Sequence, residues 1–313
     1  MNVTMSFPKP YWLLNGAEDT ETAFVVVLVS VSANDAVVTL AQQLLNENNI
    51  GIDSINVLSD KQAAEIFISA STQGAWAMFR KLLVLVSSVD ADVFVLPVVG
   101  RKKRLLICDM DSTIVQTETL DDIAASIGIG EQVCEITARA MRGELNFRKA
   151  LAERVGLLRG VSEELFIEIA DEVKINLGAK DLISLAQKHG LRTVLVSGGF
   201  EPIVKVVAAN LGFDHYVCNK AEITNGKLTG KVLEPLVDAN TKLNVLKEEA
   251  EKLTITLEQA CTVGDGANDL PMIQAAGIGV AYKGKPLVRA GTSYQINSSS
   301  LASILMMMGI TVL

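Results

Sequence analysis

The sequence predicts an α/β protein: a parallel sheet covered by helices on both faces, spanning residues 101–313, preceded by a smaller α+β unit in residues 1–100. Three observations carry this. From residue 192 onward, short apolar runs alternate with segments of helical period, which is how strands and helices follow one another in a parallel sheet. Residues 23–98 hold a different alternation, in which two extended runs are adjacent, and a purely parallel sheet does not give that order. Hydrophobic residues make up 49% of the 313 positions, enough to fill the cores of about two domains.

In the first unit, Ala23 to Val31 reads as a valine-rich strand, and Asp35 to Asn48 as a helix with Val38, Leu40, Ala41, Leu44 and Leu45 at helical spacing. Ile50 to Leu58 and Ala64 to Ala70 are extended, Trp76 to Ser88 is helical, and Val93 to Val99 is extended again. The order βαββαβ is the ferredoxin-like arrangement. It resembles the ACT family of small regulatory domains, while a plain packing or dimerisation module stands equally open. The basic run Arg101 to Arg104 reads as a linker.

The second unit begins with a short buried strand, Leu105 to Cys108, and continues into a mostly helical insert from about residue 121 to 180. Then come a strand at Arg192 to Ser197, a helix at Pro202 to Leu211, a strand at His215 to Cys218 and a hairpin at Asn225-Gly226. A helix at Thr241 to Lys252 and strands at Cys261 to Gly264, Gly279 to Tyr282 and Tyr294 to Ile296 complete it. In such sheets ligands bind at the carboxyl ends of the strands.

Composition excludes several classes. A net charge of -8 and a pI near 5.0 argue against a nucleic-acid-binding surface, which needs a basic stripe. Cys108, Cys134, Cys218 and Cys261 lack metal-ligand or CxxC spacing and read as reduced thiols. Met1 to Pro10 has no basic-then-apolar leader pattern, and Leu301 to Leu313 is too short to span a bilayer. The expectation is a soluble, cytoplasmic protein with no membrane partner.

The chemistry concentrates at strand ends. Asp109 and Asp111 follow the Leu105–Cys108 strand at a spacing that puts two carboxylates on one side of an extended segment. Such a pair repels unless a cation lies between them, and a divalent metal is the usual one, which points to phosphoryl transfer. Ser197-Gly198-Gly199 ends another strand with a hydroxyl and two small residues that let backbone N–H groups approach an anion. Lys242 opens a helix as a mobile point charge suited to phosphate. Gly264-Asp265-Gly266-Ala267-Asn268-Asp269 adds further carboxylates and an amide after a third strand. Each piece alone is ordinary: a Gly-Asp-Gly is commonly a turn and a helical lysine commonly solvated. Their order and placement make the joint reading specific.

These four segments resemble the motifs of the haloacid dehalogenase-like (HAD) phosphatases: DxDS/T, then S/T, then Lys, then GDxxND. Asp109 to Val115 with Glu118, the run Ala140 to Phe147, Arg154, Ser197 to Phe200 and Val263 to Asp269 are further similar to the phosphoserine phosphatase family. The likeness covers roughly residues 104–297, with Met110 where that family commonly has phenylalanine.

The resemblance implies a HAD-type Rossmann-like sheet with a small helical cap, and Mg²⁺-dependent hydrolysis of O-phosphoserine, the last step of serine biosynthesis. It implies Asp109 as nucleophile and Asp111 as proton donor and acceptor. It implies Mg²⁺ on the Asp109 carboxylate, the Asp111 main-chain carbonyl and Asp265. Ser197, the Gly198 amide beside Gly199, and Lys242 would hold the phosphoryl oxygens, Asn268 would contribute to substrate binding, and Asp269 would orient Lys242. Glu118 would take the substrate ammonium and Arg154 its carboxylate, with Met141 and Phe147 closing the pocket. A homodimer through the N-terminal unit is a further expectation. Another small amino-alcohol phosphate as substrate, transfer to an alcohol, and a non-catalytic regulatory or ligand-binding protein built on the first unit are the rival readings. His189 and His215 match no catalytic position.

Overall fold

In the computed structural model, residues 8–14, 21–31, 35–58, 62–142 and 144–311 are described. After a short helix α1 (Tyr11–Leu14), the N-terminal unit is a four-stranded antiparallel sheet of order β2-β3-β1-β4. Its strands are β1 (Glu21–Ser30), β2 (Ile52–Leu58), β3 (Ala63–Ser71) and β4 (Ala91–Pro97), with helices α2 (Asp35–Glu47) and α3 (Thr72–Val86) between them. This is the βαββαβ order expected from sequence. Phe24 to Leu28 are all at most 2% exposed, although successive side chains of a strand point to opposite faces. Both faces of β1 are therefore covered: α2 and α3 pack on it, and so does α13 (Ser303–Met307) from the far end of the chain.

The Arg101 to Arg104 run is not the solvated linker its charges suggest. Arg101 is 8% exposed; its Nε donates to the Met307 carbonyl at 3.0 Å, and its guanidinium also reaches the Met306 carbonyl and Glu65. Lys103 donates to the carbonyls of Gly100 and Glu258 at 2.8 and 2.7 Å, and burial holds its pKa below the ordinary lysine value. Arg101 and Lys103 are buried here because carbonyls and one carboxylate receive their donors, while Lys102 and Arg104 stay exposed. Asp92, 3% exposed, fastens the same junction from β4. It accepts from the backbone amides of Asn297, Ser298 and Ser299 at 3.0, 3.2 and 2.7 Å and from the Ser299 hydroxyl at 2.6 Å.

The second sheet has seven strands in the order β11-β10-β9-β5-β6-β7-β8. Neighbours are parallel except β7 and β8, which form an antiparallel hairpin. Central β5 (Leu105–Cys108) is fully buried between β6 (Arg192–Phe200) and β9 (Ala260–Gly264), as its uninterrupted apolar run requires. β7 (His215–Thr224) and β8 (Lys227–Leu233) turn at Asn225 and Gly226, both left-handed (φ 53° and 71°), the conformation a two-residue hairpin demands. β10 (Ile278–Tyr282) and β11 (Tyr294–Ile296) close the other edge. The flanking helices are α8 (Ala179–Lys188), α9 (Glu201–Leu211), α10 (Ala239–Lys252), α11 (Leu270–Ala275) and α12 (Pro286–Gly291).

Between β5 and α8 the described residues make four α-helices: α4 (Thr119–Ser126), α5 (Gly130–Met141), α6 (Phe147–Leu157) and α7 (Glu163–Glu172). They correspond to the helical insert read from sequence. The excursion is tied off where Asn176 donates through Nδ2 to the carbonyls of Thr113 and Val115, at 2.8 and 3.0 Å. The carboxyl ends of β5, β6 and β9 thus open toward these helices.

Candidate active site

Asp109 is the first residue beyond β5, and its N–H donates to Val263 of β9 at 3.0 Å. The chain then turns tightly through Met110–Ile114, with Ser112 left-handed at φ 56°. A residue with a Cβ pays roughly 1–2 kcal/mol for that conformation. It is held by Ser112 N–H to the Thr117 carbonyl, 3.1 Å, and by the Ser112 hydroxyl donating to Glu118 Oε1, 3.0 Å.

The turn separates the two carboxylates that the sequence set side by side. Asp109, 5% exposed, faces the ammonium of Lys242. Asp111 turns the other way: Oδ1 accepts from the Thr119 amide at 2.9 Å and Oδ2 from the Ser197 hydroxyl at 3.2 Å. Their surroundings titrate them differently. Burial raises the Asp109 carboxyl well above the usual range, and Asp269 adds to this against the pull of Lys242. Burial also raises Asp111, to about 6, opposed chiefly by the Thr119 amide.

Ser197 ends the apolar stretch of β6, and its Oγ also accepts from the Gly199 amide at 2.8 Å. A Cβ on Gly199 would lie 3.0 Å from Ser197 Oγ and 3.2 Å from Asp111 Oδ2, so the close approach requires glycine. On the Cβ side of Gly198 there is nothing within 4 Å. Asn219, fully buried in β7, fixes this peptide: Nδ2 donates to the Gly198 carbonyl and Oδ1 accepts from Val237 N–H, both at 2.7 Å.

Lys242 enters from the first turn of α10, which Asp238 caps by accepting from Thr241 N–H at 2.9 Å. Its side chain is 0% exposed, between Asp109 and Asp269 Oδ1, the latter at 2.5 Å. Burial would lower its pKa, but the two carboxylates outweigh that and hold it above the ordinary lysine value. Asp269 Oδ2 accepts from Gly266 N–H at 2.9 Å, and a Cβ on Gly264 would meet Asp269 at 2.4 Å. The glycines of this loop are therefore what lets Asp269 lie flat beneath the site.

Oxygens of Asp109, Asp265 and Asp269 come within 4.8 Å of one another. The Asp111 carboxylate is not in this group, so the cation expected between Asp109 and Asp111 has its acidic surroundings between Asp109 and Asp265 instead. Burial raises the Asp265 carboxyl, partly offset by Lys285. Three carboxylates (Asp109, Asp265, Asp269) face two ammonium groups (Lys242, Lys285). That buried negative excess, made of hard oxygen donors, fits a divalent cation such as Mg²⁺.

On the insert side, Arg154 (α6) lies within electrostatic reach of Asp121, Glu118 and Asp111, and burial lowers its pKa. Its Nε is buried and has no hydrogen-bond partner among the described residues. Glu118 accepts from Ser112 and Lys285. Phe147 begins α6 and is 40% exposed, and Asn268 is half-buried in the loop after β9. Met141 ends α5, and its side chain lies outside the described residues. Sequence reasoning missed Lys285 and Asn219. Lys285 follows β10 at the carboxyl edge of the sheet, a position where ligand contacts are expected. Asn219, a polar residue inside an otherwise apolar strand, was a signal too.

The model of the haloacid dehalogenase-like hydrolases matches residues 106–274, more than half of the chain, and the chain belongs to that family. Among curated relatives, the phosphoserine phosphatase of Streptococcus thermophilus is 43% identical over 203 residues, 65% of this chain and 94% of its own length. A HAD family hydrolase from Salmonella enterica serovar Typhi superposes with TM-score 0.83 at 26% identity, covering 91% of this chain and 98% of that one. A structure of phosphoserine phosphatase as a phospho-aspartyl intermediate analogue gives TM-score 0.61 at 36% identity, over 66% of this chain and 98% of that one.

Proposed function

We propose that this chain is a Mg²⁺-dependent phosphatase that hydrolyses O-phospho-L-serine to L-serine and phosphate through an aspartyl-phosphate on Asp109. The observation that carries the chemistry is the division of labour between Asp109 and Asp111. One carboxylate faces a buried ammonium, whereas the other is held by an amide and a hydroxyl with its carboxyl at about 6. The first has a cation beside it and would attack as its carboxylate; the second can carry a proton near neutrality.

In the proposed reaction an Asp109 oxygen attacks phosphorus and the bond from phosphorus to the seryl oxygen breaks, with Asp111 delivering its proton to that oxygen. Asp111 then takes a proton from water as the water attacks phosphorus and the bond to Asp109 breaks. Ser197, the Gly198 amide and Lys242 hold the phosphoryl oxygens, where charge spreads during transfer. Asp269 keeps Lys242 in place. Asp109, Asp265 and the Asp111 carbonyl would hold Mg²⁺, which when bound would supply the charge neutralisation that lets a phosphate approach a carboxylate.

The substrate assignment rests on the insert side and on the named relatives. Arg154 has an unused buried donor that suits a carboxylate, and Glu118 suits an ammonium. Phe147, Met141 and Asn268 complete the pocket in this reading. None of the described helices is long and apolar enough to cross a membrane, and all four cysteines are free. A cytoplasmic location and a homodimer through the N-terminal sheet belong to the same proposal.

The test is phosphate release from O-phospho-L-serine and from a panel of sugar phosphates, with and without Mg²⁺. Strong preference for phosphoserine and dependence on Mg²⁺ are expected. Comparable rates on sugar phosphates would remove the substrate assignment, and undiminished turnover in excess chelator would remove the metal.

A further inference from the structure

Lys285 joins two parts of the site. Its Nζ lies 3.1 Å from Asp265 Oδ2 on the acidic side and 3.3 Å from Glu118 Oε1 on the insert side. Its backbone is anchored on the same loop, since Lys285 N–H donates to the Asp265 carbonyl at 2.9 Å and the residue caps α12. The side chain is the part free to move: it is 58% exposed, whereas that of Asp265 is 7% exposed.

We propose that Lys285 is a tethered cation that occupies Asp265 and Glu118 together until a divalent metal takes Asp265, so that metal binding opens the seat for the substrate's ammonium. This rests on the function proposed above. The argument is one of shared space and charge. Asp265 is buried and needs a cation, and Lys285 supplies one from a flexible stem. A divalent ion on Asp265 and an ammonium 3.1 Å from the same carboxylate repel each other, and the singly charged, exposed partner is the one that can leave. The remaining contact to Glu118 is a half-exposed ion pair of small worth. A ligand ammonium brought to Glu118 by a carboxylate on Arg154 outcompetes it through high effective concentration. Glu118 itself stays in place, because the Ser112 hydroxyl still holds it.

The test is calorimetric titration of Mg²⁺, and of L-serine with and without Mg²⁺, into the full chain and into Lys285→Gln, Lys285→Arg and Lys283→Gln. In the unsubstituted protein and in Lys285→Arg, L-serine binds about 5-fold or more tightly when Mg²⁺ is present. In Lys285→Gln, Mg²⁺ binds more tightly than in the unsubstituted protein, and L-serine binds equally with and without it. Lys283→Gln, which removes a neighbouring charge, retains the coupling. Weaker Mg²⁺ binding in Lys285→Gln, or Mg²⁺-dependent L-serine binding that survives in it, overturns the proposal. Hydrolysis of O-phospho-L-serine by the unsubstituted chain is measured in parallel: its absence counts against the function alone, and its presence together with Mg²⁺-independent L-serine binding in the unsubstituted chain counts against this inference alone.

Discussion

The Ser197 hydroxyl donates to Oδ2 of Asp111 across 3.2 Å, while the same oxygen of Ser197 accepts from the Gly199 amide. One hydroxyl thus ties the end of β6 to the turn after β5 and orients the carboxyl that carries the proton in the proposed reaction. Thr119 completes the hold from the start of the insert.

A pH dependence follows from that hold. Burial lifts Asp111 to about 6, and only its protonated form can donate to the leaving oxygen. A bound phosphate dianion raises a nearby carboxyl further. The single-turnover rate of serine release should therefore fall as pH rises through a pKa at or above about 6. Asp111→Asn should lose most of the rate together with that limb. Rapid-quench measurements between roughly pH 5 and 9 check this, and a rate that climbs monotonically with pH contradicts it.

Lys242 is the counter-charge of a buried acidic cluster, so its removal should cost stability as well as turnover. Losing one partner of a buried ion pair typically costs about 3–5 kcal/mol. In Lys242→Met the loss should be greater at pH 8 than at pH 5.5. The raised pKa of Asp109 means that acid neutralises its stranded carboxylate, so stability recovers as pH falls. Denaturant unfolding at both pH values, with and without Mg²⁺, provides the measurement.

Arg154→Lys keeps a charge but gives up the planar fork. If Arg154 binds the substrate carboxylate, KM for O-phospho-L-serine should rise about 10-fold or more with a smaller change in kcat, in line with one lost charge-assisted hydrogen bond. Steady-state kinetics separate the two, and an unchanged KM would take Arg154 out of the substrate seat.

Asp92 fastens the two sheets by receiving three consecutive amides and a hydroxyl. Asp92→Ala should destabilise the chain by about 1–3 kcal/mol, because buried donors are left without an acceptor. Chemical denaturation checks the figure, and a midpoint unchanged from the unsubstituted protein would mean the junction is held elsewhere.

How far the sequence alone reached depends on the kind of signal each feature leaves. β5, β6 and β9 each carry a short, mostly apolar run that leads into Asp, Ser or Gly, so the strands and the candidate site at their ends were legible, and even three-residue β11 was found. The split between Asp109 and Asp111 was not legible geometrically, because the chain leaves the extended conformation at Met110, between the two acids, in the tight turn Met110–Ile114. Asp92 looked like an ordinary strand-end acid because its partners are backbone amides about 205 residues away, which have no side-chain signature. Arg101 and Lys103 looked like a linker because charge patterning cannot register the carbonyls that receive them. Lys285 was missed because its role is set by two acids from distant segments, Glu118 and Asp265.

The most direct measurement is to find the phosphoryl group on the protein. The chain is mixed with O-phospho-L-serine labelled in its phosphate, quenched in acid within one turnover, and digested for mass spectrometry. The proposed chemistry predicts label on the peptide that carries Asp109, removable by hydroxylamine and absent in Asp109→Asn. Turnover with no covalent label, or label that persists in Asp109→Asn, would contradict it.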